Sequence, residues 1–450
     1  MRDFLDKTLT ESALLNRGNA VEQHTSTTRP AQSKVKYDAL VLDAKLRQSL
    51  VTVRSLGQRG KRVAALEVYN LLKQSRHVPT FSSRWCQRSY IAPSYEKTRE
   101  PFLVYIKQLL SDTGAQVLIP SSDGTLALLR EHREEVEQAG TRIAMAKEPG
   151  LNAAINKDIT LEVAEKLGLH VPRGVVVKSV SEVSEAVREI GLPAVVKPIE
   201  SWLWGEESAR GTQQGVRLVS KLVTTTEEAR EAVEELTQVG GSTLFQQFLT
   251  GRREAVSFLY ADGEIYARFA QWAKRTQPQL GGTSVFRQSI AVPYDIGEPS
   301  ERLVREIELD GYSEVEFRRD SAGKPYLMEI NPRLSASVET AVRSGVDFPY
   351  LIYQWANSER IDRIEGYQAG GWMRYLEGDI LTTVETFLKR GRPGITPPSQ
   401  AVLEFLTTFF LSTGYDYVDS NDLRPVWTAL GEFADRAWHW AGKQSKRRNS

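Results

Sequence analysis

Cysteine is almost absent from this chain: Cys86 is the only one in 450 residues. A single thiol excludes an internal disulfide framework and any cluster of cysteine-bound metal. Histidine is also scarce. The five (His24, His77, His132, His170 and His439) are scattered, with no pair at zinc-ligand spacing. No apolar run approaches the roughly 20 residues that a membrane span requires. Excess charge is missing too: 58 Lys plus Arg stand against 57 Asp plus Glu, a formal charge of +1. That balance gives no electrostatic case for nucleic acid or an anionic membrane as the main partner. The remaining composition, 41% hydrophobic and 26% charged, is that of an ordinary globular protein in a reducing, cytoplasmic setting, long enough for two to four domains.

Residues 1–34 are polar and without periodicity, and they end in a Ser/Thr/Gln-rich stretch, so they read as a loose N-terminal arm. The arm lacks the apolar segment of a secretory signal, and Asp3, Asp6 and Glu11 speak against a transit peptide. Residues 35–149 alternate strand and helix. Strands are expected near 38–43, 62–66, 117–120 and 142–144, and Leu46, Leu50, Val53 and Leu56 form a helical stripe. This predicts a Rossmann-like α/β domain. The first strand-to-helix turn, Asp43-Ala-Lys-Leu-Arg-Gln48, contains no glycine. The turn that lets a backbone close on a dinucleotide pyrophosphate is therefore missing, and a nicotinamide oxidoreductase is disfavoured.

A second α/β region opens near Gly150. It has a helix at 156–167, a strand at 174–177, a helix carrying Val183, Ala186, Val187 and Ile190, and the apolar strand Pro193-Ala-Val-Val-Lys197. A loop rich in Gly, Ser and Trp follows at 199–215, then a strand at 216–220 and a helix at 226–238. The pattern next turns antiparallel, with strands expected at 243–249, 254–260, 264–270 and 284–292 and an Asp262-Gly263 hairpin turn. Residues 361–450 read as a mainly helical accessory region.

The segment richest in chemistry is Val315-Glu-Phe-Arg-Arg-Asp-Ser-Ala-Gly-Lys-Pro-Tyr-Leu-Met-Glu-Ile-Asn-Pro-Arg333. A hairpin turning at Ala322-Gly323 places Glu316 directly opposite Glu329, with Cβ atoms about 4.5–5.5 Å apart. Carboxylates that close repel each other unless a cation lies between them, and Mg²⁺ is a hard cation that takes oxygen ligands. Alternation by two puts Asn331 and Arg333 on the face of Glu329. They add an amide oxygen and a guanidinium suited to phosphoryl or carboxylate charge. A solvated strand face could hold the same residue types, but Glu329 sits in the apolar context Tyr-Leu-Met-Glu-Ile.

These residues resemble the signature of the ATP-grasp superfamily, Glu-x-Asn-x-Arg after an upstream Glu, in its carboxylate–amine ligase type. The resemblance covers 150–356 and extends more weakly over the N-terminal domain. It implies a Rossmann-like pre-ATP-grasp domain at 35–149 and an ATP-grasp domain at 150–360, with a lid at about 172–245 and a core at about 246–360. It further implies that Glu316, Glu329 and Asn331 hold Mg²⁺ (with Mn²⁺ an allowed substitute) against the phosphates of ATP, and that Arg333 stabilises acyl-phosphate chemistry. Lys157 and Lys197 match the two phosphate-binding lysines. Gln246, Gln247, Phe248 and Leu249 match the hinge strand that binds the adenine edge, although the family often has Glu where Gln247 stands. Glu254 matches the ribose-binding carboxylate.

Arg275 and Arg287 flank Gly281-Gly282 and are candidate anchors for the acceptor carboxylate or the γ-phosphate, as is Arg343. The 199–215 loop would cover the phosphates, but it carries Trp202, Trp204, Glu206 and Glu207 where the family is denser in glycine. The implied partners are a small-molecule carboxylate and an amine, with no nucleic acid and no membrane span. Dimers are common among similar proteins, which leaves a homodimer open. Two other readings remain: a bicarbonate-activating or carbamoyl-phosphate-type unit, and an ATP-binding regulatory protein without catalysis.

Overall fold

The computed structural model describes residues 36–69, 77–205, 214–238, 240–279, 281–411 and 413–448. The expected arm at 1–34 and residues 206–213 of the phosphate-covering loop, with Glu206 and Glu207, lie outside the described residues.

The N-terminal sheet comprises β1 (Ala39–Val41), β2 (Val63–Val68), β3 (Cys86–Ala92), β4 (Val117–Ile119) and β5 (Arg142–Ile143). All its pairs are parallel, in the order β3-β2-β1-β4-β5, as the Rossmann-like reading expects. The strand β1 is buried throughout and apolar without alternation, as a parallel strand covered on both faces must be. The sequence pattern gave no sign of β3, because as an edge strand it carries Gln87, Arg88 and Ser89 at exposed positions. At the glycine-free turn Asp43 takes φ +56°. Its carboxylate accepts hydrogen bonds from Ser121 N (3.0 Å) and Thr125 Oγ1 (2.7 Å), which ties this turn to the segment after β4.

The next sheet is smaller. In chain order its region holds β6 (Gly174–Val177), β7 (Ala194–Pro198), β8 (Trp202–Trp204), β9 (Gly215–Arg217), β10 (Lys221–Val223) and β11 (Thr243–Gln247). The sheet order is β10-β7-β11-β6, with β8 and β9 paired separately. The Val183–Ile190 and Thr226–Thr237 helices bury Ala186, Ile190, Ala229 and Val233 against Val177, Val196 and Phe245. The strand expected at 216–220 is shorter, ending at Arg217, and a second short strand follows it at Lys221–Val223. The strand expected at 243–249 pairs with β6 and β7 in this sheet and not with the antiparallel core, and it ends at Gln247. The alternation of β11 explains why: Phe245 points into the helical layer, and Leu244 and Gln246 point the other way.

The core sheet holds β12 (Arg253–Ala261), β13 (Glu264–Gln277), β14 (Thr283–Ile290), β15 (Gly311–Arg319), β16 (Pro325–Asn331), β17 (Trp372–Arg374) and β18 (Thr413–Tyr415). Its order is β16-β15-β12-β13-β14-β17-β18. Asp262 and Gly263 both have positive φ (+50° and +79°), the conformation of the tight hairpin turn that the sequence predicts. The C-terminal region is mainly helical, as expected, and it also adds two short strands to the core sheet. Helices span Leu376–Leu388, Pro398–Thr407 and Arg424–Arg448, but β17 and β18 complete the core sheet. Among the described residues no helix is long and apolar enough to cross a membrane.

Candidate active site

The β15–β16 hairpin has the register that the sequence implies where it matters. Glu316 pairs with Glu329, and Glu314 with Asn331; a bulge between Glu316 and Phe317 shifts the pairing only on the turn side. Alternation along β15 sends Val315 and Phe317 into the core and puts Glu314, Glu316 and Arg318 on the opposite face. That face lines a cleft of about 600 Å³, whose walls also include Lys157, Lys197, Glu329, Asn331 and Arg333.

The opposed carboxylates sit among cations. Arg253, from β12, donates to Glu316 through Nε at 2.9 Å and again through Nη2. Asn331 Nδ2 donates to Glu316 Oε1 at 3.1 Å. Lys157 is only 5% exposed and lies at the first position of the Lys157–Lys166 helix. There Asn156 caps the helix by accepting from the amides of Asp158 and Ile159. The Lys157 ammonium lies 3.8 Å from Glu329 and donates to Ser201 Oγ at 3.2 Å. Burial alone would push the Glu329 carboxyl up, but Lys157, Lys197 and Arg253 together hold it below the ordinary carboxylate value. Glu316 goes the other way: its burial and the charge of Glu329 outweigh Arg253 and raise it. Burial pushes the Lys197 ammonium down to about 8, with Lys157 adding to the shift and Glu329 opposing it. Each group is stabilised by an opposite charge and destabilised by loss of water, which is how sites that bind a polyanion are poised.

Arg333 is tied to the N-terminal domain. Its Nε donates to Asp123 Oδ1, and Asp123 opens the Asp123–Glu131 helix behind the cap of Ser122. Burial opposes ionisation of Asp123, but Arg333, Arg217 and Lys157 overcome it and lower its pKa.

The other expected residues divide between the cleft and its surroundings. Gln247, Phe248, Leu249 and Glu254 line the cleft. Gln246 is fully buried in β11, and neither end of its amide has a hydrogen-bond partner among the described residues. Both oxygens of Glu254 are engaged, one with Arg252 at 2.9 Å and one with Arg319 at 2.7 Å. Arg287 lines the cleft but is wholly buried, gripped by Asp416 (Nη1 at 3.2 Å) and by Thr340 (Nε at 2.7 Å). Arg275 is not brought to the cleft. The strand β13 runs on to Gln277, so the loop around Gly281-Gly282 is shorter than expected. A register irregularity on either side of Arg275 turns its side chain out of the face shared by Gln271 and Ala273. It forms a bidentate pair with Asp379 instead, at 2.6 and 2.8 Å. Arg343 pairs with Glu339 at 2.7 Å. Trp202 packs on Tyr95 and on Trp204, with centroids 5.7 and 5.6 Å apart, and Arg99 covers the Trp204 ring at 4.5 Å. The tryptophan pair therefore packs against Tyr95 and Arg99 of the N-terminal region and is not among the residues lining the cleft.

Sequence reasoning passed over Arg253, Glu314, Arg318, Gln271 and Asp123. Glu314 and Arg318 were accessible in principle, since Ser313-Glu-Val-Glu-Phe-Arg318 alternates charged and apolar residues from Glu314 onward. Asp123 was not, because its contact with Arg333 spans two sheets.

The donor set suits a hard divalent cation. It offers two carboxylates and an amide oxygen, and among the described residues no group of three or more His, Cys, Asp or Glu forms a metal cage. A site that leaves most of its ligand positions to phosphate and water matches what Mg²⁺ prefers.

A family model described as "ATP-grasp in the biosynthetic pathway with Ter operon" matches residues 242–377. The large chain of carbamoyl phosphate synthase from Deinococcus radiodurans is 26% identical over 211 residues, 46% of this chain and 20% of that one. The chain spans about a fifth to a quarter of the length of such curated relatives. Among solved structures, a biotin carboxylase complex from Campylobacter jejuni superposes with TM-score 0.58 at 13% identity, covering 75% of this chain and 74% of that one. An L-amino acid ligase from Bacillus licheniformis superposes with TM-score 0.53 at 16% identity, covering 72% and 75%.

Proposed function

Because the chain folds as an ATP-grasp protein, we propose that it is an ATP-dependent ligase. It would activate a substrate carboxylate as an acyl phosphate and join it to an amine, releasing ADP and phosphate. The observation that carries this reading is the Glu316–Glu329 pair, flanked by Lys157 and Lys197 in one cleft. A carboxylate oxygen attacks the γ-phosphorus and the bond to the bridging oxygen of ADP breaks. The amine nitrogen then attacks the acyl carbon, phosphate leaves with its oxygen, and the amine loses a proton. Lys157 and Lys197 neutralise phosphate oxygens, and Arg333, held in place by Asp123, faces the charge that develops on the acyl group. Mg²⁺ bound by Glu316, Glu329 and Asn331 would supply further neutralisation of the phosphate chain. The lid strand ending at Gln247, with Phe248 and Leu249 after it, would receive the adenine. Glu254 would bind the ribose by releasing Arg252, which is 40% exposed, while keeping Arg319. The proposed setting is the cytoplasm.

The likeness to carbamoyl phosphate synthase favours a second reading, with bicarbonate as the activated carboxylate. Phosphate release from Mg-ATP, measured over a panel of amino acids, other carboxylates and bicarbonate with and without amines, separates the two. Release that requires a carboxylate–amine pair supports the ligase, and release with bicarbonate alone supports the second reading. ATP binding without turnover on any acceptor contradicts both.

A further inference from the structure

Six acidic side chains line the cleft, and five of them are ion-paired. Asp123 pairs with Arg333, Glu254 with Arg252, Glu316 with Arg253, Glu329 with Lys157 and Glu385 with Lys389. Glu314 is the exception: it is 3% exposed, and among the described residues it has no ion pair. A carboxylate buried without a cation is costly, and neutral hydrogen bonds recover only part of the loss. Glu314 Oε2 accepts from Gln271 Nε2 at 3.1 Å, and the same nitrogen donates to Ser337 Oγ at 2.6 Å. A carboxylate only accepts, which fixes the nitrogen of Gln271 on that side. The Gln271 oxygen is left buried with no hydrogen-bond partner among the described residues. Ser335 and Ser337, with hydroxyls 2.9 Å apart, complete a wall of cleft residues rich in acceptors.

The place of this wall along the cleft says which substrate meets it. One face of β15 carries Arg318, Glu316 and Glu314 in succession. Arg318 lies over the Phe248 ring at 6.0 Å, at the end proposed for the adenine. Glu316 is at the proposed metal and phosphates, and Glu314 lies beyond it, opposite Asn331. The phosphoryl acceptor approaches the γ-phosphate from that side. Between Glu316 and Gln271 the sheet offers only Ala255, which is paired with both, so the cleft stays open there.

We propose that the carboxylate substrate carries a cationic amino group, bound by Glu314 and the Gln271 oxygen while its carboxylate faces Arg333. This rests on the ligase reading of the cleft and names the substrate class that the cleft takes: an amino acid or a similar zwitterion. An ammonium supplies the opposite charge that Glu314 lacks and a donor for the Gln271 oxygen. The attacking amine is not the group held there, because a nitrogen clamped as an ammonium has no lone pair. A hydroxyl in the same place would leave the carboxylate charge uncompensated.

The test is equilibrium binding to the full chain loaded with Mg²⁺ and a non-hydrolysable ATP analogue. The probes are amino acids with graded spacing between amino and carboxyl groups, each set against the hydroxy acid of the same shape. The expected result is a preference of about tenfold or more for the amino acid, the worth of a charge-assisted hydrogen bond. Glu314→Gln keeps the shape and should abolish that preference while binding of the ATP analogue is unchanged. Gln271→Met, which removes the second acceptor, should reduce it. A merely structural role for Glu314 would weaken all probes alike and leave the preference in place. Equal affinity for amino and hydroxy acids, or no binding of either, overturns the proposal. So does a preference that survives Glu314→Gln, and so does Glu314-dependent binding of alkyl diamines where no amino acid binds, which puts the cation on the nucleophile. The ligase reading fails separately: a preference lost in Glu314→Gln, with no phosphate release from any carboxylate–amine pair, contradicts that reading and leaves the subsite standing.

Discussion

Glu316 stands directly across the ladder from Glu329, yet the two carboxylates face opposite electrostatic fates. The first is raised by burial and by its neighbour, and the second is held down by Lys157, Lys197 and Arg253. A divalent cation and a phosphate chain would relieve both at once, the metal satisfying the paired oxygens and the phosphates satisfying the lysines. The proposed chemistry rests on this relationship.

The Lys197 ammonium, pushed down to about 8 by burial, gives the ligand-free site a pH dependence. Above that value the site loses a positive charge, so ATP affinity should decline between pH 7 and 9. Lys197→Arg, which stays charged, should flatten the profile in a titration of ATP binding. Stability follows the same group. Between about 8 and the ordinary 10.5 the unfolded chain carries a proton that the folded chain lacks, so this group makes the ligand-free protein more stable as pH rises through that window.

Arg275 is predicted to be structural. Breaking its pair by Asp379→Ala leaves Arg275 and Arg374 buried without their shared partner, a loss of about 3–5 kcal/mol. Thermal or denaturant unfolding should show that loss, and ATP binding by the remaining folded fraction should be unchanged.

Asp123 is predicted to position Arg333 from the far side of the cleft. Asp123→Asn keeps the shape and removes the charge, so kcat should fall by about tenfold or more while KM for ATP holds. Steady-state kinetics distinguish this from a role in ATP binding, which would raise KM with kcat intact.

The sequence made the β15–β16 register legible because the turn chemistry and the two-residue period act within a short segment. Lys157 and Lys197 follow from the family resemblance and not from local pattern, which alone does not separate them from surface lysines; the structure places both at the cleft. Arg275 was not legible, because a bulge in β13 reverses the face that simple alternation assigns to it. Arg253 and Asp123 act across strands and sheets that no local spacing relates. The strands β17 and β18 were missed because three-residue strands at the end of a sheet carry too little pattern to register against the helices around them.

The most direct test compares wild type with Glu329→Gln in ATP-dependent phosphate release, with whichever carboxylate and amine the panel identifies. The account predicts that the amide variant folds normally and loses release by about 100-fold or more, since a neutral amide cannot share the cation with Glu316. Release at the wild-type rate would contradict the assignment of the Glu316–Glu329 pair as the metal and phosphate site.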